Sequence, residues 1–193
     1  MLALAVSLNC EPGSTCFYLA TTALAAVWFG GTMLANPGPR GRLGVTLPGR
    51  GRIAEPFALG LALAVLFVVG GLVVRQIDAL ADAVDEVLDY ARRGSGPRVM
   101  ALTVATGIAE EMLFRGALYD ASPRRHATVV STLVYVLATL ASGSLMLAFA
   151  ALVLGIVLGI QRRITGGYAG PAITHTTWSV AMLLVLPLVI TGD

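Results

Sequence analysis

The chain has 193 residues, of which 56% are hydrophobic and 12% charged, and its mean hydropathy of +0.82 exceeds what a water-soluble domain of this size sustains. The formal charge of +2 arises from short arginine clusters between apolar segments. That is the usual distribution of topogenic charge and excludes a nucleic-acid footprint.

All thirteen cationic residues are arginine. The lack of lysine beside abundant Ala, Gly, Val and Leu points to high-GC bacterial coding, and so to a multi-pass protein of the inner (plasma) membrane. The first eight residues are apolar, but no basic residue precedes them and Asn9, Glu11 and Pro12 follow. They make a poor signal peptide, and the whole chain reads as mature. Cys10 and Cys16 read as an incidental thiol pair; a disulfide requires the N-terminus to face an oxidising compartment.

Spanning helices need ~20 mostly apolar residues and are expected at about 16–35, 56–75, 99–119, 127–141, 145–161 and 171–190. The two shorter ones are separated by Ser142-Gly143-Ser144, which reads as a tight hairpin; the alternative is one bent helix from 127 to 161. Between the second and third spans, Gln76 to Arg93 carries an apolar stripe (Ile77, Leu80, Ala81, Val84, Val87, Leu88) opposed by five acids. It is expected to be an interfacial amphipathic helix, a solvated connector and not a substrate gate. The fold class is therefore all-α: a polytopic membrane protein with about six transmembrane helices. Residues 1–97 would form a two-helix hairpin plus the connecting helix, and 98–193 a core, in one integrated membrane domain.

Arginine placement orients the spans. Arg40, Arg42, Arg50, Arg52, Arg124, Arg125, Arg162 and Arg163 fall in loops on one side, against Arg75, Arg92, Arg93 and Arg98 on the other. Eight against four makes the first side cytoplasmic. Both termini, the Ser-Gly-Ser hairpin and the cysteines then lie outside the cytosol.

The third span places Glu110, Glu111 and Arg115 within apolar helix, where each ionisable group costs ~2.5–3.5 kcal/mol to insert. Glu111 and Arg115, four apart with the acid first, can satisfy each other. Glu110 lies about 100° around the helix with no local cation, which makes it the candidate proton acceptor. The bland alternative is a buried polar knot holding helices together.

The string Glu110-Glu111-Met112-Leu113-Phe114-Arg115-Gly116 resembles the EExxxR signature of the CAAX protease and bacteriocin-processing family, the intramembrane endopeptidases related to Ras-converting enzyme and to Abi-type immunity proteins. The order that follows is also similar: a basic loop, a helix, a glycine-containing helix, then Pro171 to His175. The resemblance covers roughly residues 98–190. It implies that Glu110 is the catalytic glutamate, Glu111 its neighbour, Arg115 the signature arginine and His175 the histidine of an HxxxN motif.

Two positions depart from the family pattern. The FxxxH motif falls on Tyr135 to Thr139, with Thr139 in place of histidine, and the HxxxN motif ends on Ser179. Threonine cannot act as a general base near neutral pH, so water activation would fall to Glu110 alone or with His175. Ser179 can still donate to an oxyanion. The family is sometimes described as metal-dependent, but the matched positions do not assemble a closed Glu/His/His zinc set, and no cofactor is assigned. His126 reads as a loop residue.

At ~1.5 Å per residue from the cytoplasmic ends, Glu110 lies at ~14 Å, Thr139 at ~18 Å, Ser179 at ~12 Å and His175 at ~6 Å. This predicts a pocket on the cytoplasmic half with Glu110 at its floor. The expected function is endopeptidase hydrolysis of a peptide or protein substrate near the cytoplasmic leaflet; nothing in the chain reads out a prenyl lipid. A pseudoprotease acting as an immunity or regulatory binding protein is the alternative, favoured by Thr139. A small transporter using Glu110 as a proton site explains neither the motif order nor the basic loop. Gly155 and Gly159 form a GxxxG expected to pack within the chain, and Trp28 and Trp178 are expected in packing or interfacial roles.

Overall fold

The computed structural model describes residues 10–11, 14–35, 53–77, 96–141 and 143–189, and the regular structure among them is helical. α1 is Thr15–Ala35 and α2 Ala54–Val74. α3, Pro97–Glu111, runs on through a π-helical stretch, Met112–Ala117, and a closing α-helical turn, Leu118–Ala121. α4 (Ala127–Leu140), α5 (Leu145–Thr165) and α6 (Ala169–Val189) complete the bundle.

Local chemistry sets these boundaries. Pro97 opens α3 behind an extended Gly96, where its missing N–H costs nothing. Gly143 takes φ +86°, a conformation glycine adopts freely, and Ser144 then caps α5 by accepting from the Leu147 amide at 3.4 Å. The break separates α4 from α5 and rules out the single bent helix. α5 ends on Gly166 at φ +73°, whose amide donates to the Arg162 carbonyl at 3.0 Å.

α1, α2, α5 and α6 are each long and apolar enough to cross a bilayer, while α4 is a shorter apolar helix of 14 residues. The chain is a multi-pass membrane protein. Its outward faces carry Leu34, Val65, Leu137, Ile164 and Leu188, all well exposed, an arrangement lipid favours and water does not. The interior holds an apolar cluster around Leu63, Phe114, Tyr135, Leu154 and Leu158. The expected amphipathic helix at 76–93 and the arginine loop at 36–55 lie almost wholly outside the described residues.

α2 lies along α6, α3 against α6, α1 against α3 and its π stretch, and α4 along α5. Glycine permits the closest approaches. A Cβ at Gly155 or Gly159 would meet Thr132 or Thr128 of α4 at 2.6 Å, so the GxxxG packs within the chain. A Cβ at Gly60 would meet the Thr174 backbone carbonyl at 2.7 Å, which has no side-chain freedom to yield.

The cysteines depart from the thiol reading: Cys10 and Cys16 are joined as a disulfide, with Cα atoms 5.7 Å apart. Cys16 lies in the first turn of α1 and Cys10 precedes the helix.

Gly60→Ala should force α2 off α6 and cost about 1–3 kcal/mol, read as a lowered midpoint of thermal unfolding in detergent. Gly70→Ala, on the same helix with nothing within 4 Å of its Cβ position, should leave the midpoint unchanged or slightly raised.

Candidate active site

The site is built on the π-helical stretch that begins one residue after the glutamate pair. A π turn widens the helix, loosens the regular carbonyl pairing and is frequent at functional sites. Here the backbone is held by side chains from elsewhere. Ser131 Oγ on α4 donates to the Phe114 carbonyl at 2.7 Å. Arg162 Nε on α5 donates to the Arg115 carbonyl at 2.7 Å, while its Nη2 pairs with Asp120 at 2.7 Å. The Arg162 guanidinium also sits over the Tyr119 ring at 5.0 Å. The sequence reading counted Arg162 among the loop charges; it is instead buried and faces the bundle, because helix α5 runs four residues beyond the expected boundary.

Glu111 and Arg115 are both fully buried and pair at 2.7 Å between Oε1 and Nη1. Arg115 Nη2 also reaches the Leu154 carbonyl at 3.4 Å, and its guanidinium lies over the Tyr135 ring at 4.8 Å. His175 Nδ1 meets the same Glu111 oxygen at 2.9 Å. A carboxylate accepts, so this contact assigns the proton to Nδ1 and leaves Nε2 as an acceptor. Nε2 in turn lies 3.9 Å from Glu110 Oε2, too far for a direct hydrogen bond. Tyr135 OH donates to that same Glu110 oxygen at 2.9 Å.

Glu110, Glu111, Arg115 and His175 thus come together as the sequence expected, although Glu110 is not left without a partner. Tyr135 was matched only as the aromatic residue of a motif. Its hydroxyl, which phenylalanine would lack, was the signal available. Thr139 Oγ1 donates to the Tyr135 carbonyl at 3.0 Å, and both Thr139 and Ser179 line the cavity that Glu110 and His175 face. His126 is exposed ahead of α4.

That cavity encloses about 660 Å³, within the range of ligand sites. Its direction differs from expectation. From Glu110 it runs past Thr106, Thr103 and Val99 on α3, past Gly70 and Val74 on α2, to Ser144 and Leu186. These residues lead toward the Ser-Gly-Ser hairpin, away from the arginine turns. Spacing along a helix does not say which end is hollow; the arginine end is filled by Arg115, Arg162 and Ser131, all buried.

Among the described residues no group of three or more His, Cys, Asp and Glu is arranged to hold a metal ion. Glu111 Oε1 is already shared by Arg115 and His175, so Glu110 and His175 Nε2 are the donors left facing the cavity, and this set does not fit a closed zinc site.

Residues 94–181 match the family model described as type II CAAX prenyl endopeptidase Rce1-like. No curated protein and no solved structure matches the chain.

Arg115→Met and Glu111→Gln should each strand a buried charge or an unmatched amide and cost about 3–5 kcal/mol. The double variant should cost clearly less than the sum, because the two residues act as one unit. Thermal unfolding of the four proteins in one detergent closes this cycle; additive losses would show that the pair is not coupled.

Proposed function

The chain belongs, through residues 94–181, to the Rce1-like family of type II CAAX prenyl endopeptidases, and we propose that it is an intramembrane endopeptidase using Glu110 and His175 together to activate water. The observation that carries this reading is the 3.9 Å gap between Glu110 Oε2 and His175 Nε2. Both atoms are acceptors in the assigned state, so neither bonds the other. One water can donate a proton to each, since two acceptors at that spacing can both lie within hydrogen-bond reach of a single oxygen.

In this mechanism Glu110 removes the water's proton as its oxygen attacks the scissile carbonyl. Tyr135 holds the Glu110 carboxylate in position through its hydroxyl. Glu111, itself held by Arg115, fixes the His175 ring and its tautomer. Ser179, one turn beyond His175 on α6 and lining the same cavity, donates to the developing oxyanion in place of the family's asparagine. His175 takes over the water contact that the family gives to the residue at Thr139. Glu110 then returns the proton to the leaving amine, which completes hydrolysis without a covalent intermediate. Residues 98–193 form the peptidase core on this reading, and residues 1–97 supply the remaining cavity wall through α1 and α2.

Thr139 supports a second reading: a pseudoprotease that retains the scaffold and acts by binding, as a membrane immunity or regulatory protein. Its hydroxyl is committed to the Tyr135 carbonyl and offers no base.

Cleavage of a fluorogenic membrane-peptide library by the purified protein in nanodiscs decides between them. Wild type should cleave, Glu110→Gln should lose ~10²–10⁴-fold, the usual worth of a general base, and Tyr135→Phe should lose about fivefold, near one hydrogen bond of about 1 kcal/mol. Silence from wild type with activity appearing in Thr139→His would establish the pseudoprotease instead.

A further inference from the structure

Among the described residues the cavity leads from Glu110 and His175 toward the end of the bundle that carries Gly143 and Ser144, and its wall is built from helix segments that lie toward that end. Outward from an inner end at Trp28, Glu110, Phe114, His175 and Trp178, its lining comes from the N-terminal parts of α1, α3 and α5 and the C-terminal parts of α2, α4 and α6. The alternation of the helices puts all of these at the end that carries the Ser-Gly-Ser hairpin. Two independent features say which side of the membrane that end faces. The sequence that joins the far ends of α1 and α2 carries Arg40, Arg42, Arg50 and Arg52, the turn before α4 carries Arg124 and Arg125, and the last turn of α5 carries the exposed Arg163; arginine is retained on the cytoplasmic side. Removing the buried Arg162 from that count leaves seven against four. The Cys10–Cys16 disulfide lies at the start of α1, on the cavity's side of the bundle, and disulfides persist in oxidising compartments and not in the cytosol.

We infer that the cavity opens to the extracytoplasmic face, and that the substrate is an apolar peptide segment reaching the site from that side, such as the extracytoplasmic end of a membrane-inserted or secreted peptide. The substrate class rests on the peptidase reading above; the direction of access does not. The wall suits such an occupant. It is mostly apolar, with Leu66, Phe67, Met182 and Leu183 among its residues. Two residues on it, Trp28 and Trp178, carry buried indole N–H groups without a partner among the described residues. An extended peptide supplies carbonyl oxygens that such donors can meet after small side-chain rotations, whereas a hydrocarbon chain supplies none. Glu110 and His175 at the closed end limit how far the segment enters, so cleavage falls a few residues inside the membrane from the extracytoplasmic surface.

Cysteine accessibility reads the direction. Thr103→Cys on the cavity wall and Arg125→Cys in the exposed turn before α4 are each made in the full chain, where the native cysteines are paired. Both are treated with a membrane-impermeant maleimide in right-side-out and inverted vesicles. Thr103→Cys should be labelled in right-side-out vesicles with loss of labelling on inversion, and Arg125→Cys should show the reverse. Labelling of Thr103→Cys in inverted vesicles would overturn the inference, whichever side Arg125→Cys reports. Thr103→Cys unlabelled in both preparations, with Arg125→Cys labelled in one, would also overturn it, since the cavity would then be closed to water. The substrate class is read separately, in proteoliposomes whose orientation is fixed by the Arg125→Cys labelling. Apolar fluorogenic peptides added to the extracytoplasmic face should be cleaved, with loss of cleavage when added to the other. Cleavage from the cytoplasmic face alone would overturn the substrate assignment. Absence of cleavage from either face, with the labelling as expected, would remove the peptidase reading and the substrate assignment together while leaving the direction of access established.

Discussion

A fully buried guanidinium in a lipid-embedded bundle has to be matched on several of its donors at once, and Arg115 is the group around which the interior is organised. It binds Glu111 at 2.7 Å, touches the Leu154 carbonyl and lies over the Tyr135 ring, so α3, α4 and α5 all meet at one side chain. Its partner Glu111 engages His175 on α6. One ion pair therefore fixes the relative positions of four helices. The low local dielectric makes that pair strong and its rupture expensive. Without it the histidine ring would lose its orientation and the cavity floor its shape.

Arg115 also lies within the π stretch, Met112–Ala117. A regular α-helix would continue to pair the Phe114 and Arg115 carbonyls along its own axis. In the wider turn both carbonyls also accept from side chains of neighbouring helices, Ser131 and Arg162. Arg162 closes the arrangement by also holding Asp120 at the end of the helix. It is a positioning residue: it touches the backbone of Arg115 and does not line the cavity, and it ties the closing turn at Asp120 to the π stretch. The polar interior is thus a connected network, and nearly all of its members come from helices that are otherwise apolar.

The replacement at Thr139 acquires meaning in this setting. Threonine bonds its own helix through the Tyr135 carbonyl, a common way for a hydroxyl to be satisfied in an apolar helix. Tyr135, four residues earlier, instead turns its hydroxyl to Glu110. The site therefore gives Glu110 a polar partner on α4, a hydroxyl that donates to its carboxylate. On the proposed mechanism the burden of contacting water passes across the cavity from α4 to α6, where His175 is already held in the required tautomer.

Much of this was legible in the residues. Hydropathy and the ~20-residue length of a bilayer crossing gave the helical class and most of the span boundaries, because the lipid solvent leaves the backbone few alternatives. The Glu111–Arg115 pairing was legible because four-residue spacing on a helix is a local geometry, and the break at Gly143 because only the backbone of that residue decides it. The Tyr135–Glu110 bond, the inward turn of Arg162, the π stretch and the Cys10–Cys16 bond were not. The first three depend on which faces of α3, α4 and α5 meet, and the disulfide depends on how the chain enters α1. The direction of the cavity was the least legible of all. Sequence spacing measures height along each helix, whereas a void is set by the side-chain volumes that helices contribute jointly at each level, and only their packing decides which end is left open.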